Sequence, residues 1–261
     1  MKKNLALRIS ISILAFLALG LPLSAQLTQV ATTNAASFSA QFPLAPGCWA
    51  TSFGDFASMG VTTASFADAV PFPTTLGGVQ VFVNDAAAPM SYVGPTQINF
   101  LVPKGTPEGR MTLRITVSGM NIYEGSLQVF PISPGLLSIN PGDVAKPGAI
   151  LNQDGTLNSE QNPAAPGEVI VAYGIGADFS ELPDDGAPAP SDRLINTSSD
   201  TTVYVSVAEA EVLFSGLAPT LVNAWQLNVT VPDVTFVDGQ VTLQAEVSGL
   251  KTNAVSFWVA R

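Results

Sequence analysis

The chain has 261 residues, a formal net charge of −10, no histidine and one cysteine. These numbers exclude Ser-His-Asp and Cys-His catalysis, imidazole acid-base chemistry, His-containing zinc sites and any intramolecular disulfide. The acidic balance also makes nucleic acid and anionic membrane surfaces poor partners.

In chain order, the first element is MKKNLALR followed by a charge-free apolar run from Ile9 to Ala25. Lys2, Lys3 and Arg8 precede a stretch shorter than the roughly 20 residues a spanning helix needs, and it closes on the small residues Ser24 and Ala25. This reads as a secretory signal peptide, residues 1–25, cleaved after Ala25. It implies export, to the periplasm, the cell surface or the medium, with no stable membrane insertion afterwards.

Charged residues are 11% of the chain, against 22 Gly and 20 Pro. That mix suits short strands joined by tight turns rather than helices. Residues 26–140 hold three basic and five acidic residues, whereas 141–261 hold four and fifteen. A cation site would therefore lie in the second half, although a solvated acidic surface is the plainer reading.

Four segments recur in order. LAPGCWATSFG (44–54) matches AAPGEVIVAYG (164–174), and QINFLVP (97–103) matches QLNVTVP (226–232). MTLRITVSGM (111–120) matches VTLQAEVSGL (241–250) at five of ten positions, and SLQVF (126–130) aligns with SFWVA (256–260). Collinear matches of this kind indicate a duplicated unit of about 100 to 120 residues.

Within each copy, short runs with period-two alternation are cut by Gly, Pro, Asn and Asp. The pattern predicts an all-β protein of two tandem Ig-like antiparallel β-sandwiches, residues 26–137 and 138–261, with a boundary in SPGLLSINPGD (133–143). In QINFLVP, Ile98, Phe100 and Val102 should face the core, with Gln97, Asn99 and Leu101 outward. QLNVTVP repeats this with Leu227, Val229 and Val231 against Gln226, Asn228 and Thr230. Pro103 and Pro232 should end the strands, and the amides should be edge or turn-bonding residues. Two long irregular stretches, 56–73 and 177–200, occupy matching places in the copies, and any binding surface is expected there.

Chemistry is sparse. Asp184 and Asp185 form the one conspicuous carboxylate pair, but adjacency does not set them across a cleft as glycoside hydrolysis requires. LNQDGTLN (151–158) offers Asn152, Asp154 and Asn158 around Gly155, part of a calcium-loop pattern without its third early acidic position or distal Glu. An Asp-Gly turn explains the same residues without an ion. Asp184, Asp185 and Asp192 make a second calcium candidate, so the candidate metal ligands are Asp154, Asp184, Asp185 and Asp192, and calcium is the one cofactor considered. No catalytic residue is assigned. Cys48, in GCWATSF, reads as a small buried residue, since nothing basic nearby favours its thiolate. Trp225 and Trp258 lie in expected strands and should be core. Trp49, Phe53 and Phe56 flank a strand end, where an exposed ring would suit a sugar-binding module.

ILNQDGTLNSEQNPAAPGEVIVAYGIGA (150–177) resembles the uncharacterised C-terminal domain family of secreted acidobacterial proteins of the Solibacter type. So do NAASFS (34–39), PTTLGGVQVFVNDAAAP (73–89), YVGPTQINFLVP (92–103) and FSGLAPTLVNAWQLNVTVP (214–232). The resemblance implies tandem Ig-like or IPT/TIG-like modules with no assigned activity. Cys48 and Trp49 depart from it, standing where similar sequences place a small polar residue and an aliphatic one. The expectation is an exported, non-catalytic binding or structural module of adhesion or protein-interaction type, its partner a protein or a cell-surface glycan. A carbohydrate-binding module is the second reading and a carboxylate glycoside hydrolase the third.

Overall fold

Each repeated motif proves to be a strand or the turn that closes one. The computed structural model describes residues 29–39, 43–140, 143, 145–234 and 239–260, so the expected signal peptide lies outside the described residues. In the first half the strands are β1 (Ala31–Asn34), β2 (Trp49–Phe53), β3 (Ser65–Phe66), β4 (Val79–Val83), β5 (Ala86–Ala88), β6 (Met90–Val93), β7 (Gln97–Leu101), β8 (Gly109–Val117) and β9 (Met120–Val129). The second half has β10 (Gly135–Leu136), β11 (Ile150–Leu151), β12 (Val169–Ile175), β13 (Thr201–Val205), β14 (Ala208–Ala210), β15 (Val212–Leu217), β16 (Trp225–Thr230), β17 (Gln240–Val247), β18 (Leu250–Lys251) and β19 (Val255–Trp258). No helix among the described residues is long and apolar enough to cross a membrane.

These strands make two Ig-like sandwiches. In the first, the sheet β1-β2-β7-β6-β3 packs on β5-β4-β8-β9. In the second, β10-β12-β16-β15, with β11 beside β12, packs on β14-β13-β17, with β18 and β19 beside β17. Strands β2, β6 and β7 thus match β12, β15 and β16, and β4 and β8 match β13 and β17. Alternate residues fill each interior: Ala50, Ile98 and Phe100 meet Val81, Val83 and Ile115 in one. Ala172, Leu227 and Val229 meet Val203, Val205 and Leu243 in the other, around Trp225.

The turn chemistry explains why the motifs are written twice. Ser118-Gly119 and Ser248-Gly249 both have positive φ (50° and 80°, 49° and 78°), which is what a two-residue hairpin turn of matching twist needs. The two AP-Gly segments clasp the ends of the two Gln-x-Asn strands. Gly47 N–H donates to the Val102 carbonyl and Gly167 N–H to that of Val231, each at 2.9 Å, and both glycines are left-handed (φ +71° and +84°). Val102 and Val231 donate in return to the carbonyls of Cys48 and Glu168 at 2.9 and 2.8 Å. Pro103 and Pro232 follow, where no further ladder donor is available.

Two expectations change. Gln97, Asn99, Gln226 and Asn228 are not edge or turn residues, because β7 and β16 lie inside their sheets; each glutamine instead bonds its own asparagine across the strand face. Leu101, expected outward, is fully buried, since its cross-strand partner Trp49 belongs to the seam between the sandwiches.

Candidate functional site

The two long loops expected to offer a binding surface bond to each other. Phe72, at the end of the first, donates its N–H to the Gly186 carbonyl of the second at 2.9 Å. Lys104, just past Pro103, donates its backbone N–H to Asp185 Oδ1 and its ammonium to Asp184 Oδ1, both at 2.8 Å. Trp49 Nε1 donates to the Val222 carbonyl at 2.9 Å while its ring meets Phe72 edge-on, centroids 5.6 Å apart. Asn223 Nδ2 donates to the Gly47 carbonyl, also at 2.9 Å. At the chain crossing, Asn34 Nδ2 donates to Ser133 O and Oγ at 2.9 and 3.0 Å, and Ser133 Oγ donates to the Pro43 carbonyl.

Beneath these bonds, Ala36, Ala45 and Cys48 pack on Ile175 of the second sandwich, flanked by Trp49 and Leu137. Burial pushes the Cys48 thiol up to about 12, only partly offset by a backbone hydrogen bond with Ala45. The expectation of a small buried residue therefore holds, and the thiol stays protonated and unreactive at neutral pH.

Asp184 and Asp185 both face one lysine rather than one another across a cleft. The Lys104 ammonium, hydrogen-bonded to Asp184, holds that carboxyl below the usual aspartate range, and the same bond raises Lys104 above the usual lysine range. The sign of the pH effect follows. A lowered Asp184 contributes stability above the ordinary carboxylate range that is lost as pH falls through it. A raised Lys104 contributes below the ordinary lysine range and loses its share above it. Because the Asp184 side chain is 93% exposed, the contribution is small and screened by salt. Asp184→Asn is expected to lower the melting temperature slightly between about pH 5 and pH 9 at low ionic strength, with the difference vanishing near pH 2 and in about 1 M salt. A difference that persists in molar salt would show that Asp184 acts through something other than Lys104.

Around Asp154 the chain makes the Asp-Gly turn. Asp154 Oδ1 accepts from Thr156 N–H at 2.9 Å and from its hydroxyl at 2.5 Å, and the hydroxyl bond holds the carboxyl below its usual range. Gly155 (φ +80°) donates to the Asn152 carbonyl at 2.9 Å. Asn158 Nδ2 donates to Asn152 Oδ1 and to the Trp258 carbonyl, both at 2.8 Å, while its Oδ1 accepts from Trp258 N–H at 2.7 Å. LNQDGTLN is thus pinned to β19, with its asparagine oxygens turned toward protein donors. Asp192 is exposed, and among the described residues no three carboxylates or cysteines converge.

Of these aromatic residues, Trp225 and Phe56 are fully buried, and Trp225 Nε1 donates to Ser215 Oγ at 3.0 Å, whereas Trp258, expected in the core, is only half-buried at the end of β19. Trp49 belongs to the seam and offers no open platform. Asn34, at the end of β1, and Ser133, Gly176 and Asn223, outside the strands, complete the seam, and no periodic pattern marked any of them as joining the two sandwiches.

No family model matches the chain, and no curated protein matches it. Among solved structures, the chain is similar to the Bacteroides ovatus mixed-linkage glucan utilization locus protein SGBP-B, solved with a mixed-linkage heptasaccharide. Identity there is 13%, over 84% of this chain and 42% of that one, with a TM-score of 0.33. Domains 5 and 6 of the S-layer protein SbsC give 12% identity over 89% of this chain and 97% of that one, with a TM-score of 0.30. A β-glycosidase from Bacteroides vulgatus gives 14% over 88% and 24%, with a TM-score of 0.26. This chain spans less than half the length of the glucan-utilization protein and about a quarter of the glycosidase. The two-sandwich architecture rests on the strand pairing itself, and such a scaffold hosts many unrelated functions.

Proposed function

We propose that the chain is an exported, non-catalytic binding or structural module of adhesion or protein-interaction type, its two sandwiches fixed to one another and its partner a protein or a cell-surface glycan. The observation that supports this most is where the chemically suggestive residues sit. Cys48, Trp49, Asp184 and Asp185 are all engaged in joining one sandwich to the other. A catalytic site would instead need a nucleophile or a pair of acids facing open space.

The experiment is turnover of a panel of chromogenic glycosides, together with the Asp184→Asn and Asp185→Asn variants. The expected result is no product from any of the three proteins and a slightly lower melting temperature in both variants. Turnover by the parent chain that either substitution abolishes would overturn the reading in favour of a carboxylate hydrolase.

A further inference from the structure

The repeated Gln-x-Asn pair is flanked in both sandwiches by the same arrangement of rings. On the outward face of the first sheet, Phe53 of β2 stands opposite Gln97, and Tyr92 of β6 stands opposite Asn99. In the second, Tyr173 of β12 stands opposite Gln226, and Phe214 of β15 opposite Asn228. Each face therefore reads ring, amide, amide, ring, and residues in register share a side of the sheet. The amides bond in the same way in both copies, glutamine Nε2 to asparagine Oδ1 at 2.8 Å.

Ring orientation is duplicated as well. Tyr92 lies over Gly94, where a β-carbon would come far inside van der Waals contact with its hydroxyl; Phe214 lies over Gly216, where a β-carbon would come within 2.7 Å of Cζ. Both rings are thus laid along their own strands over a glycine two residues on, as Tyr123 is over Gly125 in β9. Phe66, 71% exposed, extends the first platform with its centroid 4.9 Å from that of Tyr92.

Nothing in the fold demands these residues. The cores use the alternate positions of β7 and β16, and a solvated outward face needs only polar residues, commonly including charged ones. The companion sheets carry charge, with Arg110, Arg114 and Glu124 in one and Glu209, Glu246 and Lys251 in the other. By contrast, β1, β2, β3, β6 and β7 contain no charged residue, and neither do β10, β11, β12, β15 and β16. In both copies the same two amide atoms, glutamine Oε1 and asparagine Nδ2, have no partner among the described residues.

We infer that each sandwich carries a shallow, uncharged strip that binds a neutral oligosaccharide chain, giving two such sites per molecule. A free carbonyl oxygen beside a free amide N–H₂ matches neighbouring sugar hydroxyls, which both donate and accept. The flanking rings match the apolar C–H face of a pyranose, and the absence of charge leaves a neutral ligand no ionic group to desolvate. This inference rests on the non-catalytic binding reading and supplies its ligand class.

The test is mobility of the whole chain in native gels cast with mixed-linkage β-glucan, xylan or galactomannan, with polygalacturonate as the anionic control. Retardation is expected in at least one neutral polysaccharide and not in polygalacturonate. Tyr92→Ala should weaken it about tenfold or more by leaving one of two linked sites, and Tyr92→Ala with Phe214→Ala should abolish it. Phe66→Ala, at an exposed position, and the paired Gln97→Glu and Gln226→Glu variant, which keeps shape and adds charge, should weaken binding without lowering the melting temperature by more than a few degrees. No retardation by any neutral polysaccharide would overturn the inference, as would retardation confined to polygalacturonate or unchanged in the double ring variant. Reducing ends released from the gel polysaccharide would instead overturn the non-catalytic reading, so the two failures are distinguishable.

Discussion

Replacing Gly176 with alanine is expected to destabilise the protein by about 3 kcal/mol and lower its melting temperature by roughly 6 to 12 °C. Two costs coincide at this position. Its φ of +73° lies in the left-handed region, where a β-carbon costs about 1 to 2 kcal/mol. That β-carbon would also be driven into the Ser133 carbonyl oxygen, a backbone atom that cannot rotate away, with Cys48 Sγ 3.2 Å off on another side. Relief requires Ser133 to move, yet Ser133 N–H donates to the Gly176 carbonyl at 2.8 Å and its carbonyl and hydroxyl hold Asn34. Strain at one glycine is thereby transmitted across the seam. Thermal unfolding checks it, with Gly155→Ala as the control: Gly155 has a similar φ of +80° but open space where the β-carbon would go, so it should cost only the backbone share. Equal losses at the two glycines would show that crowding at Ser133 contributes nothing.

Trp49→Ala is expected to cost a similar amount, about 3 kcal/mol. The substitution removes the ring that meets Phe72 edge-on and leaves the Val222 carbonyl without its indole donor. Val222 is 8% exposed, so water does not readily replace the lost bond. Leu101, opposite Trp49 on β7, would lose its cover as well. The loss should fall on the junction more than on either core, because Trp49 points outward from the first sheet while Ala50 and Phe100 fill its interior. Trp49→Phe keeps an aromatic ring against Phe72 while deleting the donor and the five-membered half of the indole, so a smaller loss than for Trp49→Ala is expected in the same thermal measurement.

How much of this was legible in the sequence depends on whether the cause was local. Period-two runs and Ser-Gly or AP-Gly turns are specified within a few residues, so the all-β class and the equivalence of QINFLVP and QLNVTVP could be read directly. Strand β9, which runs from Met120 to Val129, was visible only at its end. Its first half alternates few apolar residues and owes its pairing to the register with β8, which continues from Val117 opposite Met120 out to Gly109 opposite Val129. Strands β1 and β10 are short edges set by pairing with β2 and β12, which no local pattern discloses.

Site residues divide in the same way. Asp154 next to Gly155 could be read as a turn, and the structure forms one. The destination of Asp184 and Asp185 could not be read, since Lys104 lies 80 residues away and in the other sandwich. Trp49 looked available because a strand end beside a loop resembles a rim, and no local pattern discloses that Val222 meets it from 173 residues away. The ring partners of the amides were equally hidden. Gln97 and Asn99 lie two residues apart in sequence, but Phe53 and Tyr92 reach them only through the order β2-β7-β6.

The proposed function takes the two sandwiches as one body held by the seam of Asn34, Trp49, Lys104, Ser133 and Asn223. Differential scanning calorimetry of the parent chain and Trp49→Ala tests this most directly. A single transition with equal calorimetric and van't Hoff enthalpies is expected for the parent, resolving into two transitions in the variant. Two separate transitions in the parent chain, unchanged by Trp49→Ala, would contradict it.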